Sequence, residues 1–216
     1  MVTSPPPLAA DRSRVVVVAN PAFDPAWFAD LTPLRGADVE GAAVARAYDH
    51  SRIVAKEAAT RAALIAALNT ATLVHFAGHA RLVDRAPRLS HLVAAADGDG
   101  YEANIVSAAD LSRLKLPQLS LVVLSSCGTT QRHSHWDMGR DGLSQALLNA
   151  GAGGVISSLW VVDDEEVTSL MEALHQRLAA GDSPPVALRA AELRMLETGR
   201  RGRAVSIGGI FRVETK

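Results

Sequence analysis

His79 and Cys127 are the two side chains in this sequence whose types and placement could break a carbonyl bond. Each follows an apolar run: TLVHFA (Thr72 to Ala77), one glycine, then His79; LVVLSS (Leu121 to Ser126), then Cys127, the single cysteine of the chain. Short apolar runs of this kind read as buried strands, and open parallel sheets place their ligand sites beyond the carboxyl ends of the strands. If the two strands are neighbours, about 4.8 Å apart, both side chains project from one rim. Thiol chemistry needs that arrangement, because a free cysteine with a pKa of about 8.5 is mostly protonated at neutral pH and a nearby imidazolium stabilises its anion. The residues alone leave a second reading open, in which Cys127 is a small buried hydrophobe and His79 a hydrogen-bonded core histidine.

His75 and His79 share the H-x-x-x-H spacing that on a helix carries two zinc ligands. Here the context is a strand and no third ligand accompanies them, whereas a catalytic zinc takes three protein ligands. No metal is expected, and His75 is read as a core residue beneath the site. His133 and His135 lie with Arg132 and Trp136 in a polar stretch after Cys127. That stretch is a lid, a processing site or a plain connection.

The elements that must position these residues follow from the hydrophobic pattern. Apolar runs of five or six residues alternate with helical patterns, as in a mainly parallel sheet covered by helices on both faces. Val15 to Ala19 is a first strand, closed by Asn20 and Pro21, and Asp38 is expected to cap the helix that follows. Ile53 to Ala55 forms a short second strand, and Thr60 caps a helix through Leu64 and Leu68. Leu92 to Ala96 and Tyr101 to Val106 flank Asp97-Gly98-Asp99-Gly100, which predicts a hairpin. Ser107 caps a short helix. Gly142 to Asn149 is helical, Gly151 to Gly154 a turn, and Val155 to Trp160 a further strand. Asp163 and Asp164 stand where the next helix begins, favourably for its dipole, and Gly181 ends it. Pro184 and Pro185 open the last helix, and Val205 to Val213, interrupted by Gly208 and Gly209, suits an edge strand.

Composition excludes several classes. With 216 residues, 48% of them apolar, the chain can bury a real core; it is expected to form one domain over residues 15–216, behind a flexible, Pro-rich tail at 1–14. Basic and acidic groups number 22 and 23, a formal net charge of −1, which gives no broad field for nucleic acid or an anionic membrane. Aromatic residues are only 4%, too few for base-stacking platforms. One cysteine and no export signal point to a soluble protein of the reducing cytoplasm. The GAGG stretch at Gly151 to Gly154 precedes a strand instead of opening a helix, and no Gly-Lys-Ser/Thr or Gly-x-Ser-x-Gly follows elsewhere. ATP, NAD and serine-hydrolase chemistry are therefore disfavoured.

The order of these motifs resembles the CHAT domain, a caspase-like peptidase module of the same clan as caspases, separases and gingipains. The matching stretches are VHFAGHA (Val74 to Ala80), LVVLSSCGTT (Leu121 to Thr130), DGLSQALLNAGAGGVISSLWVVDDEEVTSLM (Asp141 to Met171) and PPVALRAAELRML (Pro184 to Leu196). VVVVANP and LRGADVEGAAVA also look like the start of that domain. The His-to-Cys interval of 48 positions is similar to the roughly 50 of caspases. The resemblance implies a three-layer caspase-like α/β fold with an antiparallel C-terminal edge strand and a β-hairpin insertion.

It also implies roles for particular residues. His79 and Cys127 fall on the family's catalytic pair, and the amides of Ala80 and Cys127 on its oxyanion hole. Ser125, Ser158, Trp160 and Asp163 would border the substrate, with Trp160 an apolar wall and Asp163 a selector for a basic residue before the scissile bond. Two departures stand out: Ala80 replaces a common glycine, and Ser125 replaces the aspartate often found two positions before the cysteine. The expected protein is a cofactor-free cysteine endopeptidase acting on a specific protein or peptide, with no nucleic-acid or membrane partner. Because the family's interaction repeats are missing from this sequence, a regulatory protein is expected in trans. The competing classes are a catalytically inactive interaction or scaffold module, and a transferase or other thiol hydrolase on a related fold.

Overall fold

The computed structural model describes residues 11–83, 85–128, 142–158, 164–198 and 211–215. The apolar runs become strands β1 (Val15–Pro21), β2 (Ser51–Lys56), β3 (Leu73–Arg81), β4 (His91–Val93), β5 (Ile105–Ser107), β6 (Leu121–Gly128), β7 (Gly154–Ser158) and β8 (Phe211–Thr215). Between them lie helices α1 (Arg35–Arg46), α2 (Arg61–Thr70), α3 (Ala108–Leu111), α4 (Gly142–Ala150), α5 (Asp164–Ala180) and α6 (Pro184–Thr198).

The main sheet has the order β2-β1-β3-β6-β7-β8. All neighbours in it are parallel except β8, which closes the edge antiparallel to β7. The chain first steps outward from β1 to β2, then returns across β1 to β3. The direction of winding therefore reverses between β1 and β3, and the carboxyl ends of those two strands flank the crevice that open α/β sheets use for ligands. The predicted hairpin is present as β4 and β5, and β4 pairs antiparallel with the last residues of β3, but its strands are shorter than expected: Tyr101–Asn104, read as strand, forms a 3₁₀ turn within a long connection instead of flanking a tight Asp-Gly turn.

Strand alternation divides the core into two layers. On one face Val16, Val74, Phe76, Val122 and Leu124 pack against Leu64 and Leu68 of α2, Leu111 of α3 and Leu147 of α4. On the other, Val17, Leu73, Leu121, Val123 and Ile156 meet Val44 of α1, Leu170, Leu174 and Leu178 of α5, and Leu188 of α6. Each fully buried Leu or Val contributes about 1.5–3 kcal/mol, so the sheet that carries the site is anchored from both sides. Gly41 lets α1 approach β1: a Cβ there would sit 2.6 Å from the Ala19 Cβ.

Local signals are met at Thr60, whose side chain accepts from the Ala63 amide, and at Ser107, which forms a capping box with Asp110. The helix expected to start at Asp38 begins earlier, at Arg35; Leu34 takes the capping position without a side-chain bond, and Asp38 lies in the first turn. Asp38 instead receives a hydrogen bond from the Asn20 side chain and an ion pair from Lys56. The edge strand is described at Phe211–Thr215, two residues past the expected end; residues 205–210, with Gly208 and Gly209, lie outside the described residues. Arg12 and Arg14 bond to the carbonyls of Ala179 and Thr70. Among the described residues, no helix is long and apolar enough to cross a membrane.

Candidate active site

Parallel pairing of β3 with β6 sets His79 opposite Cys127, Ala80 opposite Gly128 and Ala77 opposite Ser125. The two candidate catalytic positions are thus in-register neighbours, with backbones about 4.8 Å apart. They were expected just beyond their strands; in the structure both belong to the final paired residues, because β6 continues alongside β3 and β4 pairs with the β3 end. Gly78 makes that end possible. A Cβ at Gly78 would lie 2.8 Å from the Phe76 ring and 3.0 Å from Pro21, so any side chain would push β3 away from β1 just before His79.

The imidazole of His79 is held from the β1 side. Its Nε2 lies 2.8 Å from the carbonyl oxygen of Thr32, which can only accept, so the proton is assigned to Nε2 and Nδ1 is the basic nitrogen of the neutral ring. Phe23 packs edge-on against it, with ring centroids 5.3 Å apart. Together they leave His79 only 5% exposed. The open rim expected from the sequence is in fact covered on this side by residues 22–34. Sequence reasoning missed Thr32, because a backbone carbonyl has no residue-type signature; the signal available was its place in the loop after the first strand.

That loop is itself fixed. Asn20 occupies the left-handed region at φ 47°, a conformation asparagine tolerates, and its side chain donates to the Leu34 carbonyl at 3.0 Å and to Asp38 Oδ2 at 2.9 Å. Asp24 closes a turn with its side chain accepting from the Ala26 amide. Arg81, two residues beyond His79, pairs with Asp30 and lies over the Phe28 ring, 5.5 Å from its centroid.

Ala80 has its side chain buried on the opposite face, within the α2–α4 layer. Among the described residues only Asn20 and Lys56 are non-glycine residues with positive φ, so alanine in place of glycine at position 80 imposes no backbone strain. Ser125 is buried in β6. Ser158 ends β7. The side chains of Cys127 and Ser158, and the whole of Trp160, Asp163, Arg132, His133, His135 and Trp136, lie outside the described residues.

His75 is a core residue, fully buried beneath the site. Its Nδ1 is 3.1 Å from Nε2 of His175 on α5, and the other ring nitrogen of His175 is 2.8 Å from the Tyr48 hydroxyl. His75 Nε2 lies 3.0 Å from Glu40 on α1, although their alignment falls outside hydrogen-bond geometry. Tyr48 donating to His175, His175 to His75, and His75 facing the Glu40 carboxylate use each proton once. Burial and the neighbouring His75 hold the His175 pKa well below its ordinary value. His75 and His79 share a face, but four strand residues separate them by about 13 Å, too far to hold one ion. No group of three metal-ligating side chains occurs among the described residues.

A mainly parallel sheet of this order, with histidine and cysteine on adjoining strand ends, defines a caspase-like cysteine-peptidase fold. The model of the CHAT domain matches residues 2–205, and the chain belongs to that family. No curated protein matches it. Among solved structures it is similar to the Arg-specific cysteine proteinase gingipain R, with a TM-score of 0.60 at 12% identity over 94% of this chain and 46% of that one. The complex of the Porphyromonas gingivalis RgpB pro- and mature domains gives 0.57 at 10% identity, covering 94% and 47%. A structure described as a protease gives 0.59 at 13% identity, covering 98% and 48%. The chain thus spans about half the length of these proteins, and at such identities the likeness is one of fold.

Proposed function

We propose that the protein is a cysteine endopeptidase in which Cys127 is the nucleophile and His79 its proton carrier. The observation that supports this most directly is the register of β3 and β6, which pairs these two positions. The thiolate of Cys127 adds to the scissile carbonyl carbon, and the carbon–nitrogen bond then breaks as His79 gives its proton to the leaving amine. Water, deprotonated by His79, releases the acyl group and restores the thiolate. The Thr32 carbonyl, accepting from Nε2, keeps the basic nitrogen available for the thiol and steadies the imidazolium when it forms. The amides of Cys127 and Ala80 are the oxyanion donors implied by family likeness. Ser125 on β6 and Ser158 at the end of β7 remain proposed substrate contacts, as do Trp160 and Asp163 by family likeness. The reaction asks nothing of a metal or organic cofactor.

The covered ring of His79 favours one second reading, a module held inactive until a separate protein shifts residues 22–34, or one that serves only as a scaffold. Cleavage of a denatured-proteome peptide library separates these readings. Cys127→Ala and His79→Ala should each lower cleavage at least a thousandfold while circular dichroism and unfolding midpoints stay near wild type. Undiminished turnover in either variant would remove the assignment, and its absence in the wild type would favour the scaffold.

A further inference from the structure

Arg81 stands two residues beyond His79 on β3, so both side chains leave the same face of the sheet, about 7 Å apart along the strand. Its guanidinium reaches residues 22–34 by two contacts. One is the ion pair with Asp30, two positions before Thr32, whose carbonyl accepts from His79 Nε2 at 2.8 Å. The other lies over the Phe28 ring, 5.5 Å from its centroid. Phe28 is fully buried and meets Phe23 edge-on at 6.3 Å, and Phe23 meets the His79 ring edge-on at 5.3 Å. The two contacts of this one side chain therefore lead to the two supports of a single imidazole.

The loop's internal bonds do not by themselves hold it against the sheet. The Trp27 and Phe28 amides donate to the Asp24 carbonyl, the Ala26 amide to the Asp24 side chain and the Leu31 amide to the Phe28 carbonyl. These close turns inside the loop. Asn20 acts at its far end, by donating to the Leu34 carbonyl. Phe28 and Leu31 are buried with Val93 and Ile105, but apolar burial is non-directional. Arg81 adds direction at the middle of the loop, because a planar guanidinium can face a ring while its N–H groups donate to a carboxylate. The Asp30 side chain is 66% exposed, and a pair so exposed adds little to stability. Its effect is positional.

We propose that Arg81 is a positioning residue for the His79 and Cys127 pair: through Asp30 and Phe28 it holds residues 22–34 so that the Thr32 carbonyl and Phe23 keep the His79 ring oriented, with Nε2 engaged and Nδ1 left for the thiol. This rests on the peptidase reading above. Orientation matters because misplacing a catalytic group by about 1 Å can cost roughly a hundredfold in rate. Lysine is no equivalent here, since an ammonium keeps the charge but lacks the planar fork.

The test is the pH midpoint of Cys127 alkylation by iodoacetamide in the full chain, for wild type, Arg81→Ala, Arg81→Lys and Asp30→Asn. If Arg81 acts through the loop, all three variants raise the midpoint toward the ordinary thiol value of about 8.5, Arg81→Ala by about 0.5–1 in pH and the other two by less. A direct effect of charge on the thiol gives a different pattern: Arg81→Lys leaves the midpoint in place, and Asp30→Asn, by removing an anion, lowers it. Nitrogen NMR spectra of the neutral imidazole rings give a second readout. His79, identified by its loss in His79→Ala, should carry its proton on Nε2 in wild type and share it between both nitrogens in Arg81→Ala. Because Asp30 is exposed, Asp30→Asn decides the matter even where Arg81→Ala fails to fold. A midpoint unmoved or lowered in Asp30→Asn, or an unchanged His79 ring in folded Arg81→Ala, would overturn the inference while leaving the peptidase reading intact. A wild-type midpoint at or above about 8.5 would overturn both.

Discussion

At the scale of single residues, the arrangement depends on groups that support His79 from behind. Asn20 is the clearest. Its left-handed backbone and its bonds to Leu34 and Asp38 set the path of the loop that brings Thr32 to the imidazole. Asn20→Ala loses both bonds and the short polar side chain that makes the left-handed conformation tolerable, so a destabilisation of roughly 2–4 kcal/mol is expected in urea unfolding. Asn20→Gly loses the same bonds without a Cβ at positive φ and should be milder by about 1 kcal/mol; equal costs would show that the φ is relieved elsewhere. His79 and Cys127 were legible in the sequence because each follows an apolar run at a strand end. Thr32 and Asn20 were not: one acts through its carbonyl, and the other holds a conformation that only the folded chain reveals.

At the scale of elements, α1, β3 and α5 are tied by Glu40, His75, His175 and Tyr48. Two of these are buried histidines, and neither Glu40 nor Tyr48 gave a signal, since the partners come together only when helices pack on the sheet. The pH consequence follows from His175, whose neutral form is favoured by burial and by His75. Its folded pKa is below the ordinary 6.5, so between these values the unfolded chain binds the extra proton and stability falls as pH falls. His91, lowered mainly by burial, acts in the same direction. Thermal unfolding should show stability nearly constant above about pH 7 and declining below about pH 6.5, by at most about 1.4 kcal/mol per pH unit for each such histidine. His175→Leu should be less stable at neutral pH, because Tyr48 and His75 lose a partner, yet should show a shallower acid slope. An unchanged slope would assign the acid sensitivity to other groups. The elements themselves were largely legible: period and capping residues gave α2 at Thr60 and α3 at Ser107. The errors fell where tertiary pairing overrode local signals, as at Asp38, and at β3 and β6, which are prolonged by each other and by β4.

At the scale of the whole molecule, the alternation of apolar runs with helical patterns was enough to predict a mainly parallel sheet with two helical layers. Strand order was not contained in that pattern; the structure gives it as β2-β1-β3-β6-β7-β8. This order makes β3 and β6 neighbours and places the reversal of winding beside His79, so the fold itself converts a separation of 48 positions into adjacency. The consequence is chemical, because the pair should titrate as a unit. Since Cys127 is the one cysteine, alkylation by iodoacetamide reports on it without ambiguity. Measured against pH, the rate in the wild type should reach half its maximum well below the ordinary thiol value of about 8.5, and His79→Ala should return the midpoint to that value. A wild-type midpoint at or above the ordinary value, unmoved by His79→Ala, would contradict the account.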